Sequence, residues 1–204
     1  MSTSRRKFQR PLGCRRYKKL FVISAEGVKT EPQYFAIFNG EEFMIHVDCL
    51  KRRRGSSPPR VLKAMESRIR ERGLNATDEA WLVVDKDRWT DEQLQELLAW
   101  AQRRPNYGFC LSNPSFEYWL LLHFEEGNGI GSLKDCTDRL KRYLPDYDKG
   151  VDSKQFPSEN IHQAVRRAKT RDNPPCMDWP RAVGGTTVYR LVEHILQVSA
   201  AQAK

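Results

Sequence analysis

Short apolar runs and amphipathic stretches alternate over the first 125 residues of the chain. Apolar runs bounded by polar or turn residues predict strands at 18–25, 43–50, 80–85 and 107–111. Helical patterns follow each of them, at 30–38, 60–73, 90–104 and 114–124. Repeated strand–helix alternation is typical of an α/β domain with a mainly parallel sheet flanked by helices and connected by right-handed crossovers.

Several local signals define where the helices begin. Thr30 with Gln33, and Thr90 with Gln93, fit the capping box, in which each side chain bonds the other residue's backbone N–H. Asn113 followed by a proline predicts a helix with Asn113 as its N-cap.

The pattern changes after residue 125. A glycine-rich loop, 125–132, precedes helical stretches at 133–144, 159–171 and 186–200. We interpret these as a helical extension packed on the sheet. The predicted organisation is a flexible basic arm at 1–16, an α/β core at 17–125 and the helical extension at 126–204.

The composition of the chain bears on where the protein is located and on which atoms could bind a metal. No apolar run approaches the ~20 residues that span a bilayer, and the basic N-terminal stretch lacks the apolar segment of a secretory signal. We therefore expect a cytoplasmic protein without membrane contact. The five cysteines form no CxxC pair and the four histidines no HExxH motif, so any metal should be held by oxygen.

Positive charge is in excess and clustered. Lysine and arginine number 35 against 26 aspartates and glutamates, a net charge of +9. Basic runs beside a carboxylate site favour a nucleic acid as partner, although each run could also be a solvated face or part of the arm. The basic clusters lie at 5–19, at 51–54 followed by Arg60, and at 166–171. The candidate nucleic-acid-binding residues are Arg15, Arg16, Lys18, Lys51, Arg52, Arg53 and Arg54.

Two aspartates follow the most apolar strand. Asp85 and Asp87 are separated by one residue, so on a strand both side chains point the same way. Paired carboxylates suit Mg²⁺ or Mn²⁺. The alternative is a helix-capping aspartate with a solvated neighbour.

Acidic and polar residues also follow the other strands. Glu26 comes directly after the first strand, Ser112 and Asn113 after the fourth, and Glu117 one turn into the next helix. Because ligands bind outside the carboxyl ends of strands in open α/β sheets, we expect the acidic side chains to converge with Asp85 and Asp87. Glu31 could join them, or could simply favour the helix dipole.

Three motifs carry a resemblance to a known family. AEGVKTEPQYF, VVDKDRW and SNPSFEYWLLLHF together resemble the RloB-like family, with weaker likeness in YLPDYDKG and in the segment from Asn173 to Ile195. These are prokaryotic proteins encoded near restriction and phage-defence loci, often beside an ATPase. Their core is similar to the Rossmann-like Toprim fold of topoisomerases and primases.

The resemblance implies roles for individual residues. Glu26 matches the Toprim glutamate, which handles protons or metal, and Asp85 and Asp87 match the DxD that holds Mg²⁺. Glu31 and Glu117 lie in family-like motifs and are expected to complete the site, with Ser112 and Asn113 as supporting residues. Lys149 could contact a phosphate or be an ordinary loop lysine. The sequence has no P-loop, so ATP hydrolysis would belong to a partner protein.

These observations predict a Mg²⁺- or Mn²⁺-dependent endonuclease of an antiviral defence system, acting on DNA or RNA, transfer RNA included. A haloacid-dehalogenase-type phosphohydrolase is a second reading of the DxD. A third is a non-catalytic nucleic-acid-binding or regulatory subunit, in which Tyr17, Trp89 and Trp179 could stack on bases; for Trp119 core packing is favoured. The number of metals, the trigger and the oligomeric state, homo-oligomers included, stay open.

Overall fold

A computed structural model describes residues 19–40, 43, 45–50, 57–86, 89–148 and 150–202. It contains one five-stranded sheet in the order β2-β1-β3-β4-β5. The strands are β1 (Leu20–Ala25), β2 (His46–Cys49), β3 (Glu79–Asp85), β4 (Tyr107–Asn113) and β5 (Gly185–Thr186). The first four are parallel and β5 runs antiparallel to β4. The predicted α/β class with a mainly parallel sheet is confirmed.

Helices cover both faces of the sheet. They are α1 (Thr30–Phe35), α2 (Pro58–Arg72), α3 (Asp91–Ala101), α4 (Phe116–Leu121), α5 (Leu133–Tyr143), α6 (Ser158–Arg171) and α7 (Val188–Gln202). Short 3₁₀ helices lie at Ala36–Asn39 and Ser153–Gln155. Within the described part of the chain, no helix has both the length and the apolar composition needed to cross a membrane.

Side chains of successive strand residues point to opposite faces and build two cores. Val22 and Leu82 pack with α2 and α3 on one face. Phe21, Ile23 and Val83 pack with α1 and α4 to α7 on the other. A strand buried on both faces must be apolar throughout, which explains the nearly continuous apolar runs in the sequence.

The strand order places a topological switch point between β1 and β3. The chain leaves β1 through α1 to reach β2 on one side, then crosses through α2 to β3 on the other. From β3 the chain continues through α3 to β4, so the connections that start at the carboxyl ends of β1 and β3 run in opposite directions along the sheet. They leave a crevice there, which is the usual ligand site of such sheets.

Of the three helix starts predicted from local sequence, one is confirmed and two are wrong. The Thr90–Gln93 capping box is present and starts α3. The box predicted at Thr30 and Gln33 is wrong, because Thr30 lies inside α1 and Gln33 Oε1 instead accepts a bond from Val151 N at 2.8 Å. Asn113 is not an N-cap either.

Asn113 has a different role from the predicted one. It ends β4, and Ser115 takes the N-cap position of α4. The Asn113 side chain donates to the carbonyl oxygens of Pro180 and Arg181, at 3.3 and 3.0 Å.

The segment predicted as a helical extension also supplies a strand. β5 completes the sheet beside β4, where Ser112 Oγ lies 2.8 Å from Thr186 Oγ1 and Thr187 N donates to Leu111 O. A two-residue strand has no periodicity, so sequence patterns give no signal for it. The boundaries predicted for the arm, core and extension stay predictions.

Candidate active site

Glu26 and Asp85 are neighbours at the switch point. Register pairs Ala25 of β1 with Val83 of β3, so each acidic residue sits at the end of its strand on the same edge. The backbone N–H of Glu26 donates to Val83 O at 2.9 Å, and the N–H of Asp85 donates to Glu26 Oε2 at 3.2 Å. The predicted convergence of these two residues, 59 positions apart, is present.

Trp89 holds the Glu26 carboxylate from the other side. Its indole Nε1 lies 3.1 Å from Glu26 Oε1 and 3.2 Å from Oε2, a donor shared between both oxygens. Glu26 itself is only 7% exposed. Sequence reasoning considered Trp89 only as a base-stacking residue and missed this contact, which joins residues 63 positions apart.

Asp85 is anchored by the start of α4. Its Oδ1 accepts a bond from Phe116 N at 2.8 Å, so the carboxylate links the carboxyl end of β3 to the helix that follows β4. Strand β4 pairs beside β3 with Ser112 opposite Asp85. Asp87, the second aspartate of the motif, lies outside the described residues.

Glu117 is buried in the first turn of α4. It is 3% exposed, and its two oxygens accept bonds from Ser115 Oγ at 2.6 Å and from Tyr147 Oη at 2.9 Å. Burial and the nearby Glu117 charge raise the pKa of Tyr147, which keeps the phenol protonated as a donor. Tyr147 belongs to the YLPDYDKG segment, so the later part of the chain reaches the site.

Glu31 turns back onto the loop after β1. It is 4% exposed, and its Oε1 accepts a bond from Gly27 N at 2.8 Å. A Cβ on Gly27 would lie 1.9 Å from Glu31 Oε2, so only glycine allows this approach. The carboxylate therefore lies against the loop and within electrostatic range of the acidic site.

The four carboxylates share one electrostatic environment. Burial, followed by the charges of Glu31, Glu117 and Glu26, raises the pKa of Asp85 well above its ordinary value. Burial raises the pKa of Glu31 as well, with Glu117 and Glu26 adding to the effect against two backbone hydrogen bonds. Asp85 and Glu31 therefore retain protons to higher pH than isolated carboxyls do, because burial and the neighbouring negative charges both disfavour the ionised form.

The remaining predicted residues lie elsewhere. The side chains of Ser112 and Asn113 bond the segment at 180–186, as described above, rather than the carboxylates. Lys149 lies outside the described residues, as do Arg15, Arg16, Lys18 and Lys51 to Arg54. Trp119 and Trp179 are 0% and 1% exposed, so Trp119 is a core residue as expected and Trp179 cannot stack on bases.

The donor chemistry suits a hard divalent cation. All four groups are carboxylates, and their mutual repulsion is relieved by a bound cation. In the ranges that the structure describes, no three His, Cys, Asp or Glu side chains form a group that could hold a metal as they stand. The predicted ligand set takes its third carboxylate from Asp87, which those ranges omit.

Fold and site define an α/β protein with a buried acidic cluster at the switch point of its sheet. The model of the family described as RloB-like protein matches residues 21–195, and the chain therefore belongs to the RloB-like family. This confirms the family resemblance, which sequence motifs carried mainly through residue 124. No curated protein and no solved structure matches the chain.

Proposed function

We propose that this protein is a metal-dependent nuclease that hydrolyses phosphodiester bonds of DNA or RNA. The observation that carries the proposal is the contact between Glu26 and Asp85 inside a four-carboxylate cluster at the switch point. Membership of the RloB-like family supports it, because the Toprim likeness of that family implies a glutamate and a DxD in these places.

Glu26, Asp85 and Asp87 would hold Mg²⁺ or Mn²⁺. A divalent ion supplies stabilisation of charge on a phosphoryl group and lowers the pKa of water, which are the two needs of phosphodiester hydrolysis. Both metals prefer oxygen ligands of this kind.

The chain's own donors fix how the acidic side chains point. Trp89 Nε1 orients Glu26, and Phe116 N orients Asp85. Orientation of ligands by surrounding hydrogen bonds is worth about 10- to 100-fold in affinity or activity at metal sites. Glu31 and Glu117 would complete the site as proton-handling groups. Burial, with the nearby Glu117 and Glu26 charges, raises the pKa of Glu31, so Glu31 holds a proton more readily than an isolated carboxyl does.

The biological setting belongs to the same proposal. The likeness to proteins encoded beside phage-defence genes supports a role in antiviral defence. The same likeness, to proteins often encoded beside an ATPase, supports an ATPase as partner, and because the sequence contains no P-loop motif, ATP hydrolysis would belong to that partner. Co-purification of such a protein from the native host tests this part.

Cleavage assays with isosteric variants test the activity. Plasmid DNA, total RNA and transfer RNA are incubated with wild type, Glu26→Gln or Asp85→Asn, each with Mg²⁺, Mn²⁺ or a chelator. We expect wild-type cleavage with metal only, and a loss of about 100-fold or more in either variant.

Asp138→Asn is the matched control, since Asp138 is an exposed aspartate of α5 paired with Lys134. Full-rate cleavage by Glu26→Gln and Asp85→Asn would refute the proposed site. Nucleic-acid binding without any turnover would instead favour the non-catalytic subunit.

A further inference from the structure

Two neighbouring helices on one face of the sheet carry opposite charge. Helix α2 has five basic and two acidic residues, a net charge of +3. Helix α3 has three acidic and no basic residues, a net charge of −3. Both helices start at the edge of the sheet that carries the acidic cluster, because each follows the carboxyl end of a parallel strand.

The first turn of α2 lies beside the switch point. Ser24 Oγ, in β1, donates to Val61 O at 2.8 Å. Ser24 is two residues before Glu26, and Val61 is one residue after Arg60. The first turn of α2 therefore contacts β1 two residues before Glu26, next to the acidic site.

Three of the four exposed cations of α2 lie on one side of the helix, and the fourth, Arg72, is its last residue and lies off that side. Arg60, Lys63 and Arg70 are exposed, and with the half-buried Ser67 they follow 3, 4 and 3 residues apart, the spacing of one helical stripe. Among the described residues neither Arg60 nor Lys63 has an ion-pair partner. Glu71 lies at the far end of the stripe, and the exposed Glu66 lies beside its middle, where it pairs with Arg103 at 3.5 Å. Positive charge is therefore greatest at Arg60 and Lys63, near the acidic site.

We propose that the stripe Arg60–Lys63–Ser67–Arg70 is the docking surface for the phosphate backbone of a nucleic acid whose scissile bond lies at the carboxylate cluster. This inference rests on the proposed function and names the surface that delivers its substrate. From Arg60 to Arg70 the helix rises about 15 Å, which is long enough to contact several successive phosphates of one strand.

The neighbouring charges set the direction of the bound strand. Asp91 of α3 is paired with Lys86 and Arg181, whereas Glu92 and Glu96 are exposed acids of the same helix. Their charge repels a polyanion, so the strand should leave the site over α2 and not over α3. In the sequence, Lys51 to Arg54 precede α2 and carry four further positive charges. Base contacts are not needed, because DNA and RNA present the same phosphates.

Binding without cleavage tests this surface independently of the chemistry. Fluorescence anisotropy with labelled 20-nucleotide DNA and RNA strands of one sequence is measured in excess chelator at several salt concentrations. The test variant is Arg60→Gln with Lys63→Gln. The control is Lys141→Gln with Arg142→Gln, which removes the same two charges from exposed positions of α5 on the opposite face.

We expect the test variant to bind both strands more weakly than wild type and the control to match wild type. Loss of two phosphate contacts lowers the slope of log affinity against log salt by about 1.4 for a single strand. The ratio of wild-type to variant affinity should then be about sevenfold larger at 50 mM than at 200 mM salt.

An unchanged slope in the test variant, or an equal loss in the control, would overturn the docking surface. Wild-type binding that never leads to metal-dependent cleavage would instead overturn the proposed nuclease and leave the surface standing. Thermal unfolding of each variant verifies that the fold is intact.

Discussion

Removing one charge from the acidic cluster should stabilise the metal-free protein. Glu31→Gln is the cleanest change, because a glutamine Oε1 can still accept the bond from Gly27 N. The native pKa of Glu31 is raised by burial and by Glu117 and Glu26. Burial and the charges of all three glutamates raise the pKa of Asp85. Removing the Glu31 charge therefore also makes the ionised form of Asp85 less unfavourable.

The sign of the pH dependence follows from these directions. A carboxyl with a raised native pKa binds more protons when folded than when unfolded, so its stabilising effect is complete below the unfolded pKa near 4 and is lost as pH rises through the native pKa. Each such carboxyl lowers the free energy of unfolding by at most about 1.4 kcal/mol per pH unit in that window. For a chain of this size that is about 3 to 6 °C in melting temperature.

The assay is thermal unfolding of wild type, Glu31→Gln and the control Glu96→Gln in chelator from pH 4 upward. Glu96 is exposed on α3, and its charge is not among those that raise the pKa of Glu31 or Asp85. The stability gained by Glu31→Gln, relative to wild type, should grow as pH rises above 4 and then level off. A gain that does not change with pH, or an equal gain in Glu96→Gln, would refute the account of the cluster as crowded charge.

Three further outcomes follow from single contacts. Trp89→Phe removes the N–H that orients Glu26 and should slow cleavage about 10-fold or more while costing about 1–3 kcal/mol of stability, measured by kinetics and denaturant unfolding. Gly27→Ala places a Cβ against the Glu31 carboxylate and should cost about 1–3 kcal/mol together with activity, whereas unchanged melting would contradict the close approach. Thr90→Ala breaks the capping box and should cost about 1 kcal/mol with cleavage per folded molecule unchanged.

The sequence predicted the parts of the site that depend on strand ends. Parallel strands bring their carboxyl ends to one edge, so apolar runs followed by Glu26 and Asp85 were enough to place those residues together. No local sequence pattern predicts the strand order. It follows from crossovers to opposite faces, and it determines that β1 and β3 are adjacent.

The contacts that sequence reasoning missed are long-range ones. Trp89 reaches Glu26, and Tyr147 reaches Glu117, through the folded chain rather than along it. The capping box predicted at Thr30 failed for the same reason. Gln33 has the right spacing for the box, but a backbone N–H 118 positions away takes its side chain.

If the protein cuts nucleic acid, cleavage should depend on both the acidic cluster and the basic helix α2. A phosphodiester approaching four carboxylates is repelled, so the site needs both local neutralisation and a separate attraction that brings the strand in. Protonation and a bound cation can supply the local neutralisation within the cluster. The exposed cations of α2 supply the attraction that brings the strand in. Salt screens this attraction much more than it screens interactions between buried groups. Raising the salt concentration should therefore weaken substrate binding, seen as a higher KM, while kcat and the metal requirement change little. A kcat that falls in parallel with binding would mean that the α2 cations act in the chemical step itself.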